Sequence, residues 1–396
     1  MNKAKKILLF DSIIDGHHAD YLTHLIRYWV QNRLAGELIV VTQQSFQACF
    51  DELTTGQPGG RNVRFVPLPP ADIDAVHGAL MLTRSFKEWN LVLRYIGQHQ
   101  PAHVLLMYFD LFQLATWLGR SAPCAVSGIY FRPDFHYKRN PGFKAQLNGF
   151  RKKVTLKGAL RKSSLANVFC LDHSAVEGLR QLAPAAKVWP LADPVESYSI
   201  TPAEVQQLRH DLQIDANRRV FLLFGYLDDR KGIEPLLDAL KELPKPQQQA
   251  VCLVLVGPIQ PDYKQKIEQK ITDVGGEVQI VRVYQEIKGR QIQLYFELAD
   301  YALALYQRHV GMASVVVRAA VSRKPVLASD YGYLGHLVQT EHLGVVADTT
   351  SPAAIRAMLE RVLTTEIPYS KTNLQKLADH NSDVYFAETI FKQLLP

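Results

Sequence analysis

The sequence predicts an α/β protein of two Rossmann-like, doubly wound domains facing a shared cleft. Three observations predict it. The 396 residues exceed what one ordinary hydrophobic core serves, so two domains are expected. Short apolar runs alternate with helical patterns from end to end, as in parallel strands covered by helices on both faces. A proline-rich stretch without periodicity, WPLADPVESYSITPAE from Trp189 to Glu204, divides the chain near its middle.

The first half offers KILLFD, ELIVVT, VRFVPL, HVLLMY, CAVSGIYF and NVFCLD as strands, with helices such as Ala19–Leu34 and Arg84–His99 between them. Asp11 cuts the first apolar run after four residues, so the lysine-rich start reads as a strand and not as a signal peptide. The second half repeats the scheme with RVFLLFG, VCLVLVG, EVQIVRV, YALALY, PVLAS and GVVAD, opened by a helix at Val205–Leu212. The expected domains are 1–195 and 200–380. The last periodic stretch, Val384–Leu395, follows the second domain's strands, so a helix over 381–396 is expected to rejoin the first domain.

A hydrophobic fraction of 47% and a charged fraction of 21% are those of a soluble globular chain. Cys49, Cys124, Cys170 and Cys252 lie far apart without metal-ligand spacing, which suits a reducing compartment. No run of 18 apolar residues exists, so a cytoplasmic protein is expected. The net charge of +7 is concentrated: nine basic residues and no acid lie in 138–162, leaving 36 basic against 38 acidic elsewhere. Within that segment Phe143, Leu147, Phe150 and Val154 recur at helical spacing among Lys144, Arg151, Lys152, Lys153 and Lys157. Such a helix suits an anionic membrane surface or a phosphate-bearing lipid, and equally a stripe facing its own domain. Nucleic acid is not expected, because no recognition motif or aromatic platform accompanies the charge.

In parallel sheets ligands bind beyond the carboxyl ends of the strands. Polar residues gather there. After the first strand come Gly16, His17 and His18; after CAVSGIYF come Arg132, Asp134 and His136; after RVFLLFG come Arg230 and Lys231. After YALALY comes HVGMASVVVRAAVSRKPVLASDYG, His309 to Gly332. Gly311, Met312, Ala313 and Ser314 lead an apolar helix there, whose first N–H groups suit an anion. Pro325 ends that helix before a short buried strand.

The second half resembles the nucleotide-binding domain of GT-B glycosyltransferases of the retaining family 4. The resemblance is carried by FGYLDDRKGIEPLLDAL, VCLVLVGP, ADYALALY, the His309–Gly332 stretch and GVVAD, about 170 residues. Gly225, Lys231, Gly232, Gly311, Lys324, Pro325 and Val326 match the family pattern. Tyr226 stands at the family's arginine place, and Val310 and Arg318 stand at its two glutamates. The first half matches in outline, through the GHH loop.

The resemblance implies a nucleotide-sugar donor in the second domain, a glycan or lipid-linked acceptor in the first, retention of configuration, and no obligatory metal or other cofactor. Gly225, Lys231, Arg230 and the turn Gly311–Ser314 would meet the diphosphate, as would the loop of Gly16 and His17. Lys231 supplies a point charge and Arg230 a fork in place of the missing arginine. His309 would touch the donor sugar or leaving phosphate. Arg318 offers phosphate contact or an ion pair, but it only donates and cannot accept from ribose hydroxyls. Arg132, Asp134 and His136 would lie on the acceptor side. No metal-ligand cluster accompanies His17, His18 or His309. The expected activity is glycosyl transfer by a cytoplasmic protein, peripheral to the membrane. Two alternatives stay open: a non-catalytic GT-B protein with binding or regulatory duty, and a two-domain small-molecule binder.

Overall fold

Parallel strands buried on both faces must shed their polar backbone into ladders, and the chain does so twice. The structure, a computed structural model, describes residues 5–15, 17–131, 143–309 and 311–395. One compact unit comprises Met1–Pro194 with Asp383–Pro396, and the other Val195–Ser382. The first carries β1 (Lys6–Phe10), β2 (Glu37–Gln43), β3 (Val63–Leu68), β4 (His103–Leu106), β5 (Ala125–Tyr130), β6 (Leu165–Cys170) and β7 (Val188–Pro190), ordered β3-β2-β1-β4-β5-β6-β7. The second carries β8 (Arg219–Phe224), β9 (Val251–Val256), β10 (Gln279–Val283), β11 (Tyr301–Ala304), β12 (Val326–Ser329) and β13 (Gly344–Ala347), ordered β10-β9-β8-β11-β12-β13.

The pairings within both sheets are parallel, with Leu8 facing Ile39 on one side and Val104 on the other. Alternation along β1 sends Leu8 and Phe10 to the core that holds Trp89, and Ile7 and Leu9 to the core that holds Trp29. Along β8, Leu222 and Phe221 divide in the same way. Strand order reverses beside β1 and beside β8, which makes the loops after these two strands the topological switch points of their sheets. The doubly wound α/β class expected from the sequence is the one observed.

Three element bounds differ from those expected. β7 occupies Val188–Pro190, where the sequence suggests a linker; three residues ending in proline suffice at a sheet edge, where no further ladder bond is needed. The helix expected from Ala19 begins at His17, and the one expected from Arg84 begins at Met81. The helix Phe143–Leu160 buries Leu156, Ala159 and Leu160. Its Gly158 lies against Trp117, on the neighbouring helix Gln113–Leu118. Phe150 is 68% exposed and Val154 is also exposed, so these two members of the apolar stripe do not face the core of their own unit. Among the described residues no helix is long and apolar enough to cross a membrane.

The chain enters and leaves the second unit side by side: the Val195 N–H donates to the Asn381 carbonyl at 2.8 Å. The final helix, Asp383–Leu394, then packs Phe386, Ile390 and Phe391 into the core that holds Tyr21 and Trp29.

Candidate donor and acceptor sites

The second unit's site is built around a buried cation. β8 is followed by Gly225, whose φ of +108° is a conformation that residues with a Cβ rarely adopt. A Cβ there would stand 2.9 Å from Lys231 Nζ. Lys231 closes a single 3₁₀ turn, Asp229–Lys231, after which Gly232 takes φ +69° and starts the helix Ile233–Lys241. Lys231 is 9% exposed. Its Nζ donates to the Phe224 carbonyl at 2.8 Å and to the Tyr306 hydroxyl at 2.7 Å, and lies 4.5 Å from the Tyr306 ring centroid. An ammonium has three protons, so one donor is left for a ligand. Among the described residues no carboxylate pairs with Lys231. A buried cation without a counter-ion is costly, and a bound anion removes that cost.

Arg230, its neighbour, is placed differently. Its Nε and Nη2 donate to Asp228 Oδ2 at 2.9 and 2.6 Å, and its side chain is mostly exposed. The Asp228 carboxylate pushes the guanidinium pKa up. Asp228 thus occupies the Nε edge of the guanidinium.

Tyr306 connects Lys231 to the loop after β11. Its ring lies 5.0 Å from that of His309, whose Nε2 donates to the Met312 carbonyl at 3.1 Å. The imidazole therefore ties His309 to Met312. Among the described residues, its chain neighbours aside, a Cβ on Gly311 would meet only His309 Nε2 within 4 Å, at 3.8 Å. Ala313 is the N-cap of the helix Ser314–Val321 and has no side-chain oxygen to accept from the first amides. Val315, Val316, Val317, Ala319 and Ala320 are buried and fix the helix. Ser314 and Arg318, four apart, share the half-buried stripe.

In the first unit the residues after β1 form a second polar site. Asp11, 3% exposed, accepts from His18 Nδ1 at 2.7 Å and from the Ile13 N–H at 3.0 Å. Burial raises the Asp11 pKa, and His18 opposes the rise. The His18 ring stacks on Phe131 at 5.9 Å and meets Tyr108 edge-on at 5.2 Å. Next to the pair, Ser12 Oγ donates to Glu88 Oε1 at 2.8 Å. Glu88 is fully buried, its pKa raised by burial and lowered by Ser12 and Arg84.

Residues 204–378 match the family described as Glycosyl transferases group 1. No curated protein sequence matches the chain. Among solved structures, Anabaena Alr3699/HepE in complex with UDP is similar at 17% identity, over 98% of this chain and 99% of that one, with a TM-score of 0.68. Sucrose-phosphate synthase from Thermosynechococcus elongatus is similar at 17% identity, over 98% and 97%, with a TM-score of 0.68. WaaG, a glycosyltransferase involved in lipopolysaccharide biosynthesis, is similar at 15% identity, over 98% and 99%, with a TM-score of 0.64. The fold is GT-B. The domain match and the GT-B fold together support a glycosyltransferase.

Of the residues singled out in the sequence, the GT-B second unit brings Gly225, Lys231, His309 and Met312 into one chain of contacts through Tyr306, with Gly311, Ala313 and Ser314 in the adjoining turn. Arg230 lies beside this chain but is bound to Asp228. Arg318 lies one turn farther along its helix. Gly16, Arg132, Asp134, His136 and Val310 lie outside the described residues, as does the His17 side chain. Sequence reasoning named His18 but missed its partner Asp11 and the nearby Glu88, and it missed Tyr306, 75 residues from Lys231. The signal for Asp11 was present, since it directly follows β1 at a switch point, seven residues before His18. Among the described residues no three His, Cys, Asp or Glu side chains gather as a metal site.

Proposed function

We propose that this protein transfers a sugar from a nucleotide-sugar donor, held by the second unit, to a glycan or lipid-linked acceptor. The observation that carries the reading is Lys231, a buried ammonium with one spare donor and, among the described residues, no paired carboxylate, at the switch point of its sheet. A diphosphate supplies the missing charge, and the helix behind Ser314 adds amide donors and its dipole. Both then stabilise the charge that grows on the leaving diphosphate. The complexes of Alr3699/HepE with UDP and with UDP-glucose support uridine nucleotides as the first donors to test. Retention, and transfer without an obligatory metal or other cofactor, follow from the resemblance to family 4 and belong to the same proposal.

From the resemblance we also propose that Gly16 and His17 contribute to donor binding and that Arg132, Asp134 and His136 serve the acceptor. The exposed Phe150 and Val154, flanked by Arg151, Lys153 and Lys157, support peripheral attachment to an anionic cytoplasmic membrane face through 138–162.

The test is a thermal-shift screen of nucleoside diphosphates and their sugars, followed by transfer assays with the nucleotide that shifts unfolding most. A stabilising diphosphate and a glycosylated product are expected. Binding without transfer would replace the enzyme by a non-catalytic GT-B binding protein, and no binding of any nucleotide would sink the donor site.

A further inference from the structure

β8 and β11 are neighbours in the second sheet, and the crevice at its switch point opens between their carboxyl ends. Lys231 comes from the loop after β8, and Tyr306 from the loop after β11. The segment that carries Tyr306 is clipped twice: the Gln307 N–H donates to the Arg230 carbonyl at 2.8 Å, and the Thr349 hydroxyl donates to the Tyr306 carbonyl at 3.1 Å. Thr349 is 1% exposed, so the second clip is shielded from water. The ring is held as well, by the Lys231 ammonium and, 5.0 Å away, by the His309 imidazole. The ring face alone would be served by phenylalanine, so the hydroxyl needs its own reason. A tyrosine hydroxyl has one proton and two lone pairs. An ammonium only donates, so Lys231 Nζ, 2.7 Å away, takes a lone pair and leaves the Tyr306 proton unused. Among the described residues that proton has no acceptor. Tyr306 is half-buried, so a ligand can reach it.

We infer that Tyr306 is a second donor to the diphosphate: its O–H bonds a phosphate oxygen beside the one that Lys231 meets. The inference rests on the donor-binding reading above. Lys231 and Tyr306 then present two spare protons from atoms 2.7 Å apart, a spacing that lets both meet one phosphate group. Each supports the other. Donation from the ammonium draws electron density from the phenol oxygen and makes its O–H a stronger donor. The hydroxyl is neutral, so it adds an anion contact without adding a second buried charge to the empty site. The clips at Arg230 and Thr349 fix the phenol before the ligand arrives, so little order is lost on binding. The proton stays on Tyr306 throughout. As the bond from sugar to diphosphate breaks and negative charge grows on the leaving oxygens, both hydrogen bonds strengthen.

The test is Tyr306→Phe, which keeps the ring against Lys231 and His309 and deletes the hydroxyl. It is read by calorimetry with UDP, GDP, ADP and inorganic pyrophosphate. Dissociation constants for the diphosphates that the wild type binds, and for pyrophosphate, are expected to rise ~10–100-fold. Affinity for the matching nucleoside, followed by NMR titration, and the unfolding temperature should stay as in the wild type. Replacing Tyr306 by 3-fluorotyrosine separates the two roles of the hydroxyl. Fluorine makes the O–H a stronger donor and its oxygen a weaker acceptor. Below neutral pH, diphosphate binding should therefore tighten if Tyr306 donates to phosphate, and loosen if it only accepts from Lys231. Looser or unchanged binding by the fluorinated protein overturns the inference alone. So does an equal loss for the nucleoside, or a diphosphate affinity of Tyr306→Phe within about threefold of the wild type. A wild type that binds none of the three diphosphates and no pyrophosphate takes down the donor reading as well.

Discussion

At the scale of single residues, two buried basic groups make opposite demands. Lys231 is charged and lacks an anion, so its removal should cost function more than stability. Lys231→Met keeps the stem against Tyr306 and deletes the charge. Turnover is expected to fall by ~10²–10³, on the order of 3–4 kcal/mol, with nucleoside diphosphate affinity falling alongside. Equal turnover in a folded variant removes Lys231 from the phosphate site. His103 is the reverse case, a group that must stay neutral. Its Nε2 lies 2.7 Å from Ser127 Oγ, which also accepts from Asn167, whose side-chain oxygen takes the Trp189 N–H. Burial lowers the ring's pKa to about 4. The unfolded chain binds this proton near pH 6.5 and the folded chain only near 4, so the contribution is whole above 6.5 and lost as pH falls toward 4. The loss is about 3 kcal/mol. Denaturant titrations of the wild type and His103→Gln should show a stability difference that shrinks over this window; a constant difference would mean that His103 is not held neutral.

At the scale of elements, the helix Phe143–Leu160 has one face explained and one not. Gly158 against Trp117 fixes the inner face, and the outer face presents Phe150, Arg151, Lys153, Val154 and Lys157. If this face meets anionic lipid, each cation contributes about 1 kcal/mol. Neutralising Arg151, Lys153 and Lys157 to Gln should then weaken binding to acidic vesicles by roughly a hundredfold, and added salt should also weaken it. Flotation assays that show no vesicle binding by the wild type at low salt would remove the membrane from the proposal. Elements were also the most legible level of the sequence. Strands such as VCLVLV are buried on both faces and read as unbroken apolar runs. β7 escaped because three edge residues ending in Pro190 carry no such run. The site was legible where it follows a strand within a few residues, as Gly225 and Lys231 do. It was not legible where partners meet from afar, as Tyr306 meets Lys231. Nor does adjacency tell which of two basic residues turns inward: the 3₁₀ turn sends Lys231 beneath Gly225 and Arg230 out to Asp228.

At the scale of the whole molecule, the connectivity separates the stability of the two units. The chain leaves the first unit at Pro194 and returns at Asp383, so the first unit's core is completed only by the last residues described. Phe386 and Phe391 meet Tyr21, Tyr28 and Trp29 ring to ring, and Ile390 is fully buried among them. Asp383 sets the register of this helix through Arg27 and His24, each 3.7 Å away. Burial of three such side chains contributes roughly 1.5–3 kcal/mol each, which approaches the whole stability of an ordinary domain. The second unit gains nothing from them, since its cores draw on residues 205–378. Deleting 383–396 should therefore unfold or loosen the first unit while the second keeps its nucleoside diphosphate affinity, though transfer is lost. Hydrogen exchange read segment by segment, with calorimetry on the same sample, checks this. Protection lost over 5–194 and kept over 195–382 is the expected pattern. Uniform loss would show that the two units share one cooperative transition, and unchanged protection would show that the final helix is not part of the first unit's core.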